Sequence, residues 1–195
     1  MKKTVKGTLI ALGTCVVLAV AATPAMADSG TIDSTVSGGS LTETTSGATL
    51  SGVTLDGSNT QTATGTASSE WSITDARGTG DAWTLSVAAT DFTSAAGTVE
   101  TTERTLPASK LTITPGTVTA GTGADSAANI TADPLTASTS AQALVSASGP
   151  DKGSYTLTPN FSLAVPANAY RSNYSGTVGS SALNPYTSTL TYTIG

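Results

Sequence analysis

From Trp71 onward, apolar and polar residues alternate along much of the chain. Trp71 and Ile73 share a face, as do Trp83, Leu85, Val87 and Ala89, and again Leu111 and Ile113. Tyr155, Leu157, Phe161, Leu163 and Val165 keep one phase through Pro159, which belongs at a strand edge or bulge. At the far end, Tyr186, Leu190, Tyr192 and Ile194 fall on one side and threonines on the other, the pattern of a half-buried strand. No stretch beyond residue 27 holds a helical period for three turns, and its Thr, Ser and Gly discourage helix. The pattern predicts an all-β chain of about nine to eleven strands, arranged as an antiparallel β-sandwich, immunoglobulin-like or related. Softer stretches at 57–69 and 116–140 are expected to be linkers or a long excursion between sheets.

The first residues follow a different rule. Lys2, Lys3 and Lys6 precede an apolar run from Leu9 to Ala22, and Ala25-Met26-Ala27 is a small-x-small cleavage site. The apolar run is shorter than the roughly 20 residues a spanning helix needs. Residues 1–27 are therefore expected to be a removed signal peptide, leaving 28–195 as a single domain with no membrane span and no anchor after Gly195. Cys15 lies inside that leader and the chain has no histidine, so the exported part has no disulfide, no thiol chemistry and no His-based metal or proton-transfer site. Cleavage leaves five basic residues against thirteen acidic ones, a net charge of about −8, which argues against nucleic acid as a partner. About a third of the chain is Ser or Thr and only 11% is charged. Such composition also occurs in glycosylated, disordered stalks, but the alternation favours a folded domain.

The only two tryptophans flank the segment Trp71-Ser-Ile-Thr-Asp-Ala-Arg-Gly-Thr-Gly-Asp-Ala-Trp83. It reads as a hairpin whose turn uses Gly78 or Gly80 at positive φ, with Asp75 accepting turn amides. Asp75 is in phase with Trp71 and Ile73, hence inward-facing, and Arg77 is its counter-charge. Asp75, Arg77 and Gly78 are thus assigned to a structural turn. A calcium loop built on Asp75 and Asp81 lacks the further acidic ligands it would need, so no metal and no cofactor is expected.

These residues also carry a resemblance. Asp75-x-Arg77-Gly78-Thr79-Gly80 followed by Trp83-Thr84-Leu85, and a distal Tyr186-x-x-x-Leu190-Thr191-Tyr192-x-Ile194, resemble the two-part signature of the WxL family of Gram-positive surface proteins. The family's distal motif usually reads Tyr-x-x-x-Leu-Thr-Trp-x-Leu; here Tyr192 and Ile194 stand for the Trp and Leu. The resemblance implies a module held non-covalently at the cell wall, with peptidoglycan or another wall polymer as ligand. It also implies association with a WxL-interacting surface protein.

Two surfaces are candidates for binding. One is the pair of motif strands, with Trp83, Leu85, Tyr186, Leu190 and Tyr192, whose aromatic faces suit the C–H faces of sugars or a partner's β-edge. A Trp in phase with Leu85 and Val87 is equally suited to a core. The other is the turn-prone stretch Pro166–Gly176, where Tyr170, Asn173 and Tyr174 accompany Arg171. Catalysis is not expected. Glu70, Glu100 and Glu103 lie in no context suggesting burial or a raised pKa, and Ser109-Lys110, if in a strand, point to opposite faces. The alternative to a wall-binding module is a subunit of a surface fibre joined by β-strand pairing, with Lys110 or Lys152 available for a bond to Asn129 or Asn160.

Overall fold

The computed structural model describes residues 30–195, so the leader assigned to residues 1–27 lies outside the described residues. Among the described residues fifteen strands follow one another: β1 Leu41–Thr44, β2 Gln61–Thr66, β3 Trp71–Asp75, β4 Trp83–Ala89, β5 Phe92–Ser94, β6 Arg104–Leu106, β7 Leu111–Thr114 and β8 Thr119–Ala120; then β9 Ile130–Thr131, β10 Leu135–Thr136, β11 Gln142–Ala147, β12 Gly153–Leu157, β13 Asn160–Val165, β14 Tyr186–Thr187 and β15 Leu190–Ile194. The only helical pieces among the described residues are two short 3-10 turns, Ala108–Lys110 and Ala127–Asn129.

Four antiparallel sheets result, in the orders β1-β3-β12-β8, β10-β7-β13-β2, β15-β4-β11-β9 and β14-β5-β6. They come from long strands that bend. Residues 61–75 pair with 153–165 across a corner, and residues 83–94 pair with 186–194 across another. At the first corner Pro159, which has no N–H to give, accepts a hydrogen bond from the Ala67 amide at 2.9 Å. At the second, the Thr189 amide donates to Thr90 Oγ1 at 2.9 Å, a side chain standing where a ladder carbonyl would. Corners of this kind let a strand leave one sheet for the next. They also explain why the strand count exceeds nine to eleven: one alternating run becomes two strands. The stretches expected to be linkers contain β2 and, between 116 and 140, β8, β9 and β10. Their Thr and Gly content disguised edge strands.

The core lies between the sheets as the alternation requires. Trp71, Ile73, Trp83, Leu85, Val87, Tyr155, Leu157, Phe161 and Leu163 are all buried. Trp83 of β4 packs on Tyr155 of β12 with ring centroids 6.1 Å apart, and its indole N–H donates to the Asp151 carbonyl at 3.2 Å. Trp71 of β3 meets Tyr192 of β15 edge-on at 4.8 Å, and its indole donates to the Ser46 carbonyl at 3.1 Å. Each large ring buries its carbon surface and still satisfies its one donor.

The hairpin between β3 and β4 is held by a bidentate pair. Arg77 donates from Nε and Nη2 to the two Asp75 oxygens at 3.0 and 2.8 Å, and its Nη2 also reaches the Asp81 carbonyl at 2.8 Å. Gly78 and Gly80 take φ of +72° and +76°, which a side chain would oppose. The Arg77 side chain holds the Asp75 carboxyl below its ordinary value of 3.8.

Candidate wall-binding site

The sequence candidates separate by depth. Trp83 is 1% exposed and Leu85 fully buried, both facing the core from a strand flanked on each side. Neither has surface to offer a ligand, so their place in the binding set is corrected to a place in the core. The physical reason is the position of β4 inside its sheet, which alternation does not reveal. Asn173 is likewise fully buried. Its amide group donates to the carbonyls of Thr102 and Ala95 at 2.8 and 3.1 Å, while its backbone N–H donates to Ser94 Oγ at 2.9 Å. It latches the Pro166–Gly176 loop onto β5 and β6 and touches no solvent.

The five remaining candidates, Tyr170, Tyr174, Tyr186, Leu190 and Tyr192, come together around one cleft of about 1220 Å³. Phe92, Leu106, Leu111, Phe161 and Leu163 form its floor, and the chain from Gly47 to Leu55 forms the opposite lip. The Asn173 latch presents Tyr170 and Tyr174 at the rim. Tyr170 is 65% exposed and lies over the Arg104 guanidinium, 4.0 Å from its ring centroid. Arg171 lies 4.3 Å over the Tyr174 ring and pairs with Glu100 at 2.5 and 3.0 Å. Glu100 in turn accepts the Tyr174 backbone N–H at 2.6 Å. The Arg171 hydrogen bonds hold the Glu100 carboxyl below its ordinary 4.5, so it stays ionised and fixes the loop. Tyr186 donates from its hydroxyl to the Tyr170 carbonyl at 3.0 Å, tying β14 to the same loop.

Tyr192 differs from its neighbours. Its hydroxyl is buried without a hydrogen-bond partner, and burial pushes its pKa well above the ordinary 10.0. An orphaned buried hydroxyl costs about 1–3 kcal/mol.

Sequence reasoning missed Glu100, Arg104 and the 47–55 lip. Nothing in the local sequence marks Glu100 or Arg104, because the Arg171 and Asn173 partners lie about seventy residues away in sequence. In the lip, Leu50, Val53 and Leu55 are apolar residues inside a stretch with no strand, a weak signal available beforehand.

No arrangement suited to catalysis appears among these residues. Glu70 and Glu103 are exposed and Glu100 is neutralised by Arg171. Ser109 and Lys110 belong to a 3-10 turn and not to a strand. Lys152 is engaged with Asp125 at 2.8 Å and Asn160 with Thr66 at 2.9 Å. Among the described residues no group of three or more Cys, Asp or Glu could hold a metal ion, and no helix is long and apolar enough to cross a membrane.

A family model for the WxL domain, described as surface cell wall-binding, matches residues 36–194. The chain belongs to the WxL family, and it is a cell-surface protein whose domain binds the cell wall. No curated protein and no solved structure matches it.

Proposed function

We propose that the wall ligand is the glycan of peptidoglycan and that it is held by the tyrosine rim, chiefly Tyr170 and Tyr174. The observation that carries this reading is the support beneath the rings. Arg104 occupies one face of Tyr170 and Arg171 one face of Tyr174, leaving flat apolar surface for the C–H faces of sugars. Arg171, about half exposed, and the surrounding backbone supply donors for hydroxyl and acyl oxygens. The anchored loop loses little freedom on binding, which keeps a shallow contact useful. Tyr186 belongs to the same set through its bond to Tyr170.

Co-sedimentation with purified Gram-positive sacculi tests the reading. The chain should pellet saturably, and a Tyr170→Ala/Tyr174→Ala variant with unchanged circular dichroism should stay in solution. Undiminished pelleting of that variant would place the contact elsewhere. No pelleting by either protein would transfer attachment to a WxL-interacting surface protein.

A further inference from the structure

Among the described residues the sheet edge running from Tyr186 to Ile194 has no hydrogen-bonded strand beyond it, although β1 lies close to β15. β14 pairs with β5 and β15 with β4, each on one side alone. Such edges are normally guarded by charge, proline or a bulge. This one carries Thr, Ser, Tyr, Leu and Ile and no charged residue. The edge of β2 across the cleft is by contrast covered by the lip, through the Ala48–Ala67 bridge and the Ser51 N–H to Thr64 carbonyl bond at 2.8 Å. On the open edge Tyr186, Leu190, Tyr192 and Ile194 are only half-buried, and the cleft beneath holds the unpartnered Tyr192 hydroxyl.

The chain itself contains a segment of matching form. Residues 30–40, Gly-Thr-Ile-Asp-Ser-Thr-Val-Ser-Gly-Gly-Ser, are exposed throughout and belong to no strand or helix. Ile32 and Val36 are 97% and 94% exposed, the most exposed large apolar side chains among the described residues. Four apart in an extended chain, with Ser34 between, they share one face. Gly39 and Ser40 already pair with Ala76 of their own chain, so the free part is residues 30–37, eight extended residues spanning about 26 Å against about 30 Å for the nine-residue edge, enough to pair along most of it.

We propose that the occupant of this edge is the 30–37 segment of a second copy of the chain. Added as a strand beside β14 and β15, it completes the ladder, places Ile32 and Val36 over the cleft, and brings a backbone carbonyl within reach of the Tyr192 hydroxyl. Each copy offers one segment and one edge, so the contact either closes reciprocally into a dimer or runs head-to-tail into a chain of molecules. The edge and the tyrosine rim share Tyr186 and border one cleft, so the two contacts are told apart by the residues that break each of them.

The test pairs analytical ultracentrifugation with hydrogen exchange on the full secreted chain and on an Ile32→Asp/Val36→Asp variant. These two side chains are fully exposed, so the variant keeps its fold. The wild type should gain mass with concentration and the variant remain monomeric. A synthetic peptide of residues 30–40 added to the variant should slow amide exchange across 186–194, and the same peptide with both Asp substitutions should bind about tenfold or more weakly. A wild type that stays monomeric at every concentration overturns the proposal, including the case where 186–194 is protected by the chain's own segment. So does a peptide that leaves exchange at 186–194 unchanged. The Tyr170→Ala/Tyr174→Ala variant, altered at the rim and not on the edge, should keep gaining mass with concentration, which separates this contact from wall binding.

Discussion

β4 and β15 are neighbours in one sheet and carry the same alternation, Trp-x-Leu-x-Val-x-Ala against Leu-x-Tyr-x-Ile. Their inner faces end in different states. On β4 every inward residue is buried, because β15 and β11 flank it and β12 packs across. On β15 every inward residue is only half-buried, and one buried hydroxyl has no partner. The two halves of the family signature therefore do different work: the proximal half specifies the core, the distal half forms an edge. A strand's place in the sheet, more than its sequence, decides whether an aromatic becomes core or contact.

The largest test of this contrast is truncation on the two strands. Trp83→Ala should cost about 3–5 kcal/mol, loss of a fully packed indole, and Ile194→Ala about 1 kcal/mol, since it is only half removed from water. Urea denaturation read by tryptophan fluorescence for Ile194→Ala, and by circular dichroism for both, measures the difference. Equal costs would mean that β15 is as much core as β4.

Next in size is the hairpin that joins the two tryptophan strands. Asp75→Asn removes the charge but keeps the shape, and should cost about 1–2 kcal/mol at neutral pH because Arg77 is partly exposed and can be hydrated. The sign of the pH dependence follows from the lowered carboxyl. Unfolded, Asp75 titrates near its ordinary 3.8; folded, it titrates lower. Its contribution is present in full above the unfolded value and is lost as pH falls through the folded one. The difference in Tm between wild type and Asp75→Asn should therefore shrink as the pH drops below about 4.

The finest test separates two tyrosines on the open edge. Tyr192→Phe removes a hydroxyl that bonds nothing, and should leave stability unchanged or raise it by up to about 1 kcal/mol. Tyr186→Phe removes a hydroxyl bonded to the Tyr170 carbonyl, and should lower stability by about 0.5–1 kcal/mol. Opposite signs in thermal melts of the isolated chain would identify Tyr192 as a group prepared for something outside the monomer. A loss in both would mean that its hydroxyl already has a partner.

Residue order alone determined that the chain is all-β, which side chains face inward, and where the Asp75–Arg77 turn falls. Those properties are local: a period of two, a glycine at positive φ and a charge two residues from its partner are all written within a few positions. It also determined the family, through motifs whose spacing survives any folding. What it did not determine was depth and company. Trp83 and Tyr192 looked alike, and only the pairing of β4 on both sides and β15 on one told them apart. Asn173 looked like a surface amide, but its partners at 94–102 and 184 turned it into a buried latch. The cleft joins residues near 50, 106, 161, 170 and 190, and no local pattern encodes such a gathering. Alternation says which way a side chain points; only the neighbouring strands decide what it meets.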